Sequence, residues 1–188
     1  IRSYTIMFLL LFLCRWVIAE PFQIPTLSMA PTFLKGDRIV VDKHVFGLRW
    51  PLNGVRIPFT WKNLWYSDDY IIKGKDVNRW DIVVFKNVDK GKEHDILVKR
   101  VVALPGETVL IRNKQIFIDG QAMSIPDFMP PVEYTQAYTS NGYGLIADAE
   151  HSVVPEGQYF LLGDNSALSS DGRWFGFVPK QNILGRVT

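Results

Sequence analysis

Cysteine is nearly absent from this sequence, and histidine is scarce. Cys14 is the single cysteine among 188 residues, so an internal disulfide is excluded. The three histidines are scattered and, with one cysteine, do not have the spacing of metal ligands. The sequence therefore implies neither a disulfide framework nor a metal site.

Long runs of one charge are also missing. Lys and Arg number 21 against 19 Asp and Glu, and the net charge of +2 is spread over mixed positions. No basic stretch resembles the footprint of a nucleic-acid-binding protein, so nucleic acid is not expected as a partner. There is no internal repeat and no low-complexity segment, and the length fits one domain with a substantial core.

One hydrophobic segment, at the N-terminal end, approaches the length of a membrane span. An apolar run from Tyr4 to Cys14 is followed by Arg15-Trp16 and a short patch that ends at Ala19. The lower limit for a span is about 17 residues, and arginine and tryptophan suit the lipid–water interface. We predict a transmembrane anchor over residues 1–19, with residues 20–188 on one side of the membrane. A cleaved secretory signal and a core helix are the alternatives.

The rest of the chain has a β pattern. Short β-branched stretches alternate with Gly, Pro, Asn and Asp, and no helical periodicity is sustained. Asn113-Lys114 predicts a tight hairpin turn, and two stretches, Gly47 to Asn78 and Ser124 to Glu150, are interpreted as insertions on the β core. The first of these is aromatic enough to touch membrane or substrate. The predicted strands are Asp37–Lys43, Asp81–Lys86, Ile96–Ala103, Thr108–Arg112, Gln115–Asp119 and Gln158–Leu162.

Three segments carry residues that could perform chemistry. The first places Ser28 in a proline-bounded loop, Pro25-Thr-Leu-Ser-Met-Ala-Pro-Thr32. A serine hydroxyl is a weak nucleophile until a base takes its proton, and no histidine of this chain lies in a distinctive motif. Taken alone, Ser28 is better interpreted as an ordinary turn serine.

The second segment is an apolar strand with two cations in its middle, Lys99 and Arg100. Side chains alternate along a strand, so these two point to opposite faces. Burial of an unpaired ammonium lowers its pKa from about 10.4 towards neutrality, which is what a lysine general base requires. The alternative, equally open on this segment alone, is a lysine that reaches water at a barrel edge beside a salt-bridged arginine.

The third segment, Leu161 to Pro179, crowds polar residues between two hydrophobic stretches. Its Asn and Ser side chains could orient a buried polar group, and Asp171 and Arg173 are spaced to form an ion pair. By itself, a solvated turn is the better interpretation. The Asn and Ser residues concerned are Asn165, Ser166, Ser169 and Ser170.

Taken in order, these segments resemble the signature boxes of the type I signal peptidases, membrane-bound proteases that remove signal peptides from exported proteins. The boxes are Glu20 to Thr32, with Ser28-Met29; Arg79 to Phe85, with Trp80 in place of the usual glycine; Lys99-Arg100 with Leu104-Pro-Gly106; and Gly163 to Pro179. Four ordered boxes are much more specific than any one motif.

The resemblance implies a signal-peptidase-type β catalytic core outside the bacterial cytoplasmic membrane, cutting after small residues of the Ala-x-Ala type without metal or cofactor. Its partners would be the signal peptides of preproteins and the lipid bilayer. By resemblance Ser28 is the nucleophile, Lys99 the general base, and Thr26 with the Ser28 N–H forms the oxyanion hole. Ser169 would hydrogen-bond the lysine, Asp171, Arg173 and Arg100 would form a supporting charge network, and Phe22, Ile24, Pro25, Met29 and Val98 would line the substrate pockets.

Three other functions compete with this interpretation. One is a specialised relative, such as the maturation peptidase of a conjugation system. The Ser-Lys self-cleaving repressors lack an anchor, so the segment from Tyr4 to Ala19 argues against them. The last is a catalytically silent, membrane-anchored protein that holds extended peptides, which would need only shape and edge-strand hydrogen bonds. Leu27, where the best-known signal peptidases have glycine, is a departure that bears on oxyanion geometry and substrate range.

Overall fold

The computed structural model describes residues 3–8, 19–49, 70–89, 91–92, 95–135 and 141–188. Within these residues the chain is mostly β, as predicted, and helix is confined to residues 3–8 and to short pieces at Ala149–Ser152, Gly172–Phe175 and Lys180–Asn182. The strands are β1 (Ala19–Gln23), β2 (Arg38–Asp42), β3 (Gly47–Arg49), β4 (Tyr70–Lys73), β5 (Ile82–Lys86), β6 (Ile96–Ala103), β7 (Val109–Arg112), β8 (Gln115–Ile118), β9 (Gln121–Ala122), β10 (Gln158–Leu162), β11 (Val178–Pro179) and β12 (Ile183–Val187).

A seven-stranded antiparallel sheet forms the centre of the fold. Its strand order is β1-β2-β12-β5-β6-β10-β11. Strand β12 therefore lies between the β1–β2 pair and the β5–β6 pair, with Arg186 opposite both Asp42 and Val83. Strand β6 lies between β5 and β10, and its last three residues, Val101, Val102 and Ala103, are fully buried.

A second, three-stranded sheet is made of β7, β8 and β9. Asn113 and Lys114 connect β7 to β8 with φ of 48° and 66°, so both take the left-handed conformation of a two-residue hairpin turn. The predicted hairpin is confirmed. The core of this sheet is continuous with one end of β6 and β10, because Val109 and Ile111 pack in one cluster with Val102 and Phe160.

All six predicted strands are present. The bounds of β6 and β10 match the prediction, and the other four differ by a residue at one or both ends. Five strands were not predicted: β1, β3, β4, β9 and β11. The sixth strand outside the predicted set, β12, lies in the stretch from Ile183 to Thr188, whose sequence is strand-like. Pro21 lies in β1, which is an edge strand of the sheet, and proline is tolerated at an edge because its missing N–H breaks no ladder bond.

The structure describes the predicted anchor and the first predicted insertion only in part. Ala19, at the end of the predicted anchor, is the first residue of β1 and pairs with Asp42. Residues 1–2 and 9–18 of the anchor lie outside the described residues. Among those that are described, no helix has both the length and the apolar character of a membrane span. The range 47–78 contains the paired strands β3 and β4, and its residues 50–69 are not described.

The second predicted insertion, 124–150, forms no strand in its described parts, 124–135 and 141–150. It is nevertheless part of the core, because Val132 and Tyr134 are 7% and 1% exposed and pack with β7 and β8. Backbone hydrogen bonds also connect it to the β7–β8 hairpin. The N–H of Tyr134 donates to the Lys114 carbonyl at 3.1 Å, and the N–H of Ile111 donates to the Gly144 carbonyl at 2.6 Å.

Candidate active site

Ser28 lies in the loop of residues 24–37 that joins β1 to β2, here called the Ser28 loop. The loop is closed by backbone hydrogen bonds, from Ile24 N to Asp37 O at 2.9 Å and from Gly36 N to Ile24 O at 2.8 Å. A further bond from Phe33 N to Met29 O, at 2.9 Å, tightens the turn that follows Ser28. The side chain of Ser28 is thus presented by a compact, internally bonded loop, and the residue is 8% exposed.

Lys99 lies in the middle of β6 and reaches this serine. Its Nζ donates to Ser28 Oγ at 2.8 Å and to the carbonyl oxygen of Val98 at 3.0 Å. Lys99 is 3% exposed, so it is not an edge lysine that reaches water. The carbonyl contact fixes the end of a long side chain, which would otherwise have many rotamers.

Burial lowers the pKa of Lys99 from 10.5 to about 8, because the charged form loses hydration. The carboxylates of Asp171 and, more weakly, Asp164 act in the opposite direction and stop the pKa from falling further. The direction matches the prediction from the apolar strand. An amine with this pKa is partly neutral near pH 7 and can accept a proton.

Arg100, the next residue of β6, points to the other side and is 4% exposed. It pairs with Asp164 through two bonds, from Nε to Oδ1 at 2.8 Å and from Nη2 to Oδ2 at 2.6 Å. The resemblance places Arg100 in one charge network with Asp171 and Arg173. The ion pair that Arg100 forms is with Asp164, because Arg100 lies opposite Leu162 in β10, two residues before Asp164. Asp164 also accepts from Thr32 Oγ1 at 2.5 Å, so the ion pair holds the Ser28 loop.

Asp171 and Arg173 form the ion pair that their spacing predicts. Arg173 Nε donates to Asp171 Oδ1 and Nη2 donates to Oδ2, each at 2.8 Å, and both residues are 1% exposed. Arg173 also donates to Ser166, at 2.7 Å to Oγ and 2.8 Å to the carbonyl. Its remaining bond, to the carbonyl of Thr135, attaches the segment 124–135 to this loop. A buried arginine needs such a full set of acceptors.

Gly163 lies where the loop that follows β10 contacts the Ser28 loop. Its N–H donates to Asp171 Oδ2 at 3.0 Å. An added Cβ would lie 2.5 Å from the carbonyl oxygen of Ser28 and 2.2 Å from Ser169 Oγ, so no side chain fits. Close approach, rather than an unusual φ, requires glycine here.

Ser169 and Thr26 were both assigned hydroxyl roles by resemblance. Ser169 Oγ is buried and has no hydrogen-bond partner among the described residues, and no bond from Lys99 to it is present. Thr26 Oγ1 donates to Ser28 Oγ at 3.2 Å. Ser28 Oγ therefore lies between the Thr26 hydroxyl and the Lys99 amine.

The residues predicted to line substrate pockets lie in β1, in the Ser28 loop and in β6. Ile24 is 3% exposed and belongs to a cluster with Ile39, Val41 and Val84, against which Phe22 and Val98 pack. Met29 is 1% exposed, whereas Pro25 is exposed at the surface of the loop. Three of the five predicted residues therefore share one apolar cluster.

Sequence reasoning missed four residues of this arrangement: Asp164, Thr32, Thr135 and Tyr134. Asp164 had a usable signal, since a buried arginine requires a buried carboxylate and Asp164 lies two residues after a buried strand. Tyr134 is 1% exposed, and its hydroxyl has no hydrogen-bond partner among the described residues. Burial raises the pKa of Tyr134, and the nearby carboxylate of Asp164 raises it further. Within the part of the chain that is described, no cluster of His, Cys, Asp or Glu is arranged to hold a metal ion.

Comparison with known proteins gives one family. The family model described as "Signal peptidase, peptidase S26" matches residues 1–188. Signal peptidase I V of Bacillus subtilis is 30% identical over 169 residues, which cover 89% of this chain and 82% of that protein. The probable signal peptidase I-1 of Synechocystis is 33% identical over 175 residues, covering 93% and 72%.

A solved structure of a signal peptidase I from Enterococcus faecalis V583 shares 33% identity and a TM-score of 0.47, over 61% of this chain and 98% of that one. The family match extends over the whole sequence, and relatives at 30% identity or more align along most of both chains. This chain belongs to the signal peptidase family, peptidase S26.

Proposed function

We propose that this signal peptidase removes signal peptides from preproteins with Ser28 as nucleophile and Lys99 as general base. The observation that carries the proposal is the 2.8 Å contact between Lys99 Nζ and Ser28 Oγ, made by a lysine that is 3% exposed. Burial brings the pKa of this lysine to about 8, so a neutral amine is available without a metal or a histidine.

The reaction begins with proton transfer from Ser28 to neutral Lys99. The serine oxygen attacks the scissile carbonyl carbon, and the resulting lysine ammonium then gives its proton to the leaving amine. A water molecule, deprotonated by the again neutral lysine, hydrolyses the acyl-enzyme. The bond from Lys99 to the Val98 carbonyl, 3.0 Å, supports this role because it keeps the amine beside the serine through both steps.

Thr26 and the backbone N–H of Ser28 are proposed to form the oxyanion hole. The Thr26 hydroxyl is already 3.2 Å from Ser28 Oγ, next to the position that the substrate carbonyl must take. A hydroxyl proton rotates freely and can turn from the serine to a developing oxyanion. Ser169 is proposed to engage Lys99 during the cycle, and its buried, unpartnered hydroxyl supports this proposal.

The substrate is proposed to carry small residues at the first and third positions before the cut, as in Ala-x-Ala. Phe22, Ile24 and Val98 pack in one apolar cluster, and Met29 is buried, which supports an apolar lining for the side chains of the substrate. Pro25, which is exposed on the Ser28 loop, is proposed to contact the substrate peptide. Asp171, Arg173 and Arg100 are proposed to support the loops that hold this site.

The location follows from the proposed substrates. Residues 1–19 are proposed to contain a membrane anchor, and residues 20–188 are proposed to form the extracytoplasmic catalytic domain at the bacterial cytoplasmic membrane, with 124–150 as an elaboration of it. The apolar run from Tyr4 to Cys14 supports an anchor, with the lipid bilayer as a partner beside the signal peptide. The mixed charge of +2 supports the expectation that nucleic acid is not a partner.

The test is cleavage of a preprotein whose signal ends in Ala-x-Ala, with detergent-solubilised parent protein beside Ser28→Ala and Lys99→Ala. Cleavage at that junction by the parent alone is the expected result. Cleavage by either variant at the parent rate would refute the dyad. No cleavage by any of the three, with binding of the same signal peptide retained, would instead identify a peptide-binding protein.

A further inference from the structure

The backbone at Trp80 is in an unusual conformation. Trp80 has φ of 73°, in the left-handed region that bulky residues rarely occupy. It is the third residue of a turn in which Asp81 N donates to Asn78 O at 3.2 Å. In turns with a positive φ at this position, glycine is the usual residue, because it has no Cβ to clash. A tryptophan here stores strain that some other contact must offset.

The backbone N–H and the carbonyl of Trp80 both form hydrogen bonds. Its N–H donates to the Val101 carbonyl at 2.8 Å, and its own carbonyl accepts from Arg100 Nη1 at 2.9 Å. With the N–H fixed on β6, the left-handed φ sets the direction of the carbonyl towards the guanidinium. Arg100 is buried, so the loss of this acceptor would leave a guanidinium N–H without a partner.

Arg100 connects this carbonyl to the Ser28 loop. Its other nitrogens hold Asp164, whose Oδ2 accepts from Thr32 at 2.5 Å. The next residue, Asn165, donates its N–H to the carbonyl oxygen of Ser28 itself at 3.0 Å. A displacement of Arg100 would therefore be transmitted to both ends of the turn that presents the serine.

Packing and a neighbouring ion pair offset the strain. The Trp80 side chain is half-buried and packs against the cluster formed by β6, β7, β8 and β10. The preceding residue is also fixed, because Arg79 donates to the Val102 carbonyl at 2.6 Å and to Glu107 at 2.5 Å. These contacts hold the turn against relaxation to a negative φ.

We propose that Trp80 is a positioning residue for the cleavage reaction. Its indole, packed on the core of the three-stranded sheet, holds a left-handed backbone whose carbonyl orients Arg100, and the Arg100–Asp164 pair in turn fixes the Ser28 loop relative to Lys99. The inference rests on the proposed function, since it assigns to Trp80 an effect on the same Ser28 and Lys99 chemistry.

The test compares Trp80→Gly with Trp80→Ala. Both remove the indole, but only glycine adopts a positive φ without a Cβ clash. We expect Trp80→Gly to keep a higher kcat than Trp80→Ala, by about tenfold, with KM within about twofold. If only the buried side-chain area mattered, Trp80→Ala would keep the higher kcat, because alanine retains one more side-chain carbon than glycine. A kcat for Trp80→Ala equal to or above that of Trp80→Gly would overturn the proposal.

Asn113 provides the matched control. It also has a positive φ, 48°, but is exposed in the β7–β8 turn away from Ser28. Asn113→Gly and Asn113→Ala are expected to differ in melting temperature and to share the parent kcat. A kcat difference between them as large as that at Trp80 would show a general effect of backbone strain.

Two further measurements keep the result interpretable. Should Trp80→Ala not fold, Trp80→Phe replaces it: a ring that still packs should keep kcat within about threefold of the parent, and a loss above about tenfold in both Trp80→Phe and Trp80→Gly would refute the role.

Should the parent not cleave the preprotein, the proposed function fails, and hydrogen exchange decides the positioning role. The Asn165 amide should then exchange faster in Trp80→Ala than in Trp80→Gly, and equal rates would refute it.

Discussion

The backbone N–H of Asn165 donates to the carbonyl oxygen of Ser28 at 3.0 Å. The bond joins the loop after β10 to the loop after β1, and Gly163 makes the approach possible. A Cβ on Gly163 would lie 2.5 Å from the same carbonyl oxygen. The position of the serine therefore depends on a glycine two residues before its hydrogen-bond donor.

Gly163→Ala is expected to lower kcat by about 100-fold, because moving the Ser28 carbonyl displaces the nucleophile from Lys99. Cleavage kinetics of a preprotein, with melting temperature measured in parallel, check this. Gly120→Ala is the control: Gly120 has φ of 78° and open space around its Cβ position, so alanine there costs stability without touching the site. Equal loss of kcat in both variants would contradict the close-approach argument.

The rate of cleavage is expected to rise with pH between about 6 and 8 and to level off above. Only the neutral form of Lys99 accepts the serine proton, and its pKa is lowered to about 8 by burial. Below that pKa, kcat/KM should fall about tenfold per pH unit. A flat profile between pH 6 and 9 would contradict a lysine base. Lys99→Arg is expected to be inactive at every pH, since guanidinium stays protonated.

Lys99→Met is expected to raise the free energy of unfolding at pH 7, by up to about 3 kcal/mol. The pKa of Lys99 is about 8 in the folded state against 10.5 in the unfolded chain, so the unfolded chain binds more protons and stability rises with pH between these values. The loss in free energy of unfolding caused by the buried lysine is complete below pH 8 and disappears as the pH rises to 10.5. Urea unfolding at several pH values measures the difference, and a gap independent of pH would contradict the assignment.

Thr26→Val is expected to lower kcat by about 100-fold with little change in KM, because the lost hydroxyl acts on the transition state. Thr26→Ser keeps a hydroxyl at the same position, 3.2 Å from Ser28 Oγ in the parent threonine, and should retain most of the activity. Steady-state kinetics of both variants provide the comparison. Equal kcat in the valine and serine variants would remove Thr26 from the oxyanion hole.

Local patterns predicted the parts of this molecule that depend on neighbouring residues in the chain. The apolar run around Lys99 indicated a buried strand and a lowered lysine pKa, and Asn113-Lys114 indicated the hairpin; both are confirmed. The family boxes brought Ser28 and Lys99 to attention, and the structure places them in contact.

Contacts between distant segments could not be predicted in the same way. The partner of Arg100 is 64 residues away in sequence: the strand register brings it to Asp164, to which the sequence analysis assigned no role. Arg173 donates to the carbonyl of Thr135, 38 residues away, and the N–H of Thr135 donates to Ser166 Oγ, 31 residues away. Both bonds use backbone groups of Thr135, which no side-chain pattern marks. Strands as short as β9 and β11, two residues each, have no periodicity to detect.

The placement of β12 has a consequence for biosynthesis. This strand separates the part of the sheet that carries the Ser28 loop, β1 and β2, from the part that carries Lys99, β5 and β6. During translation, the two parts emerge from the ribosome well before the strand that hydrogen-bonds to both. We expect a nascent chain to lack proteolytic activity until residues 183–187 have been made, because the sheet that holds Ser28 beside Lys99 is incomplete before then.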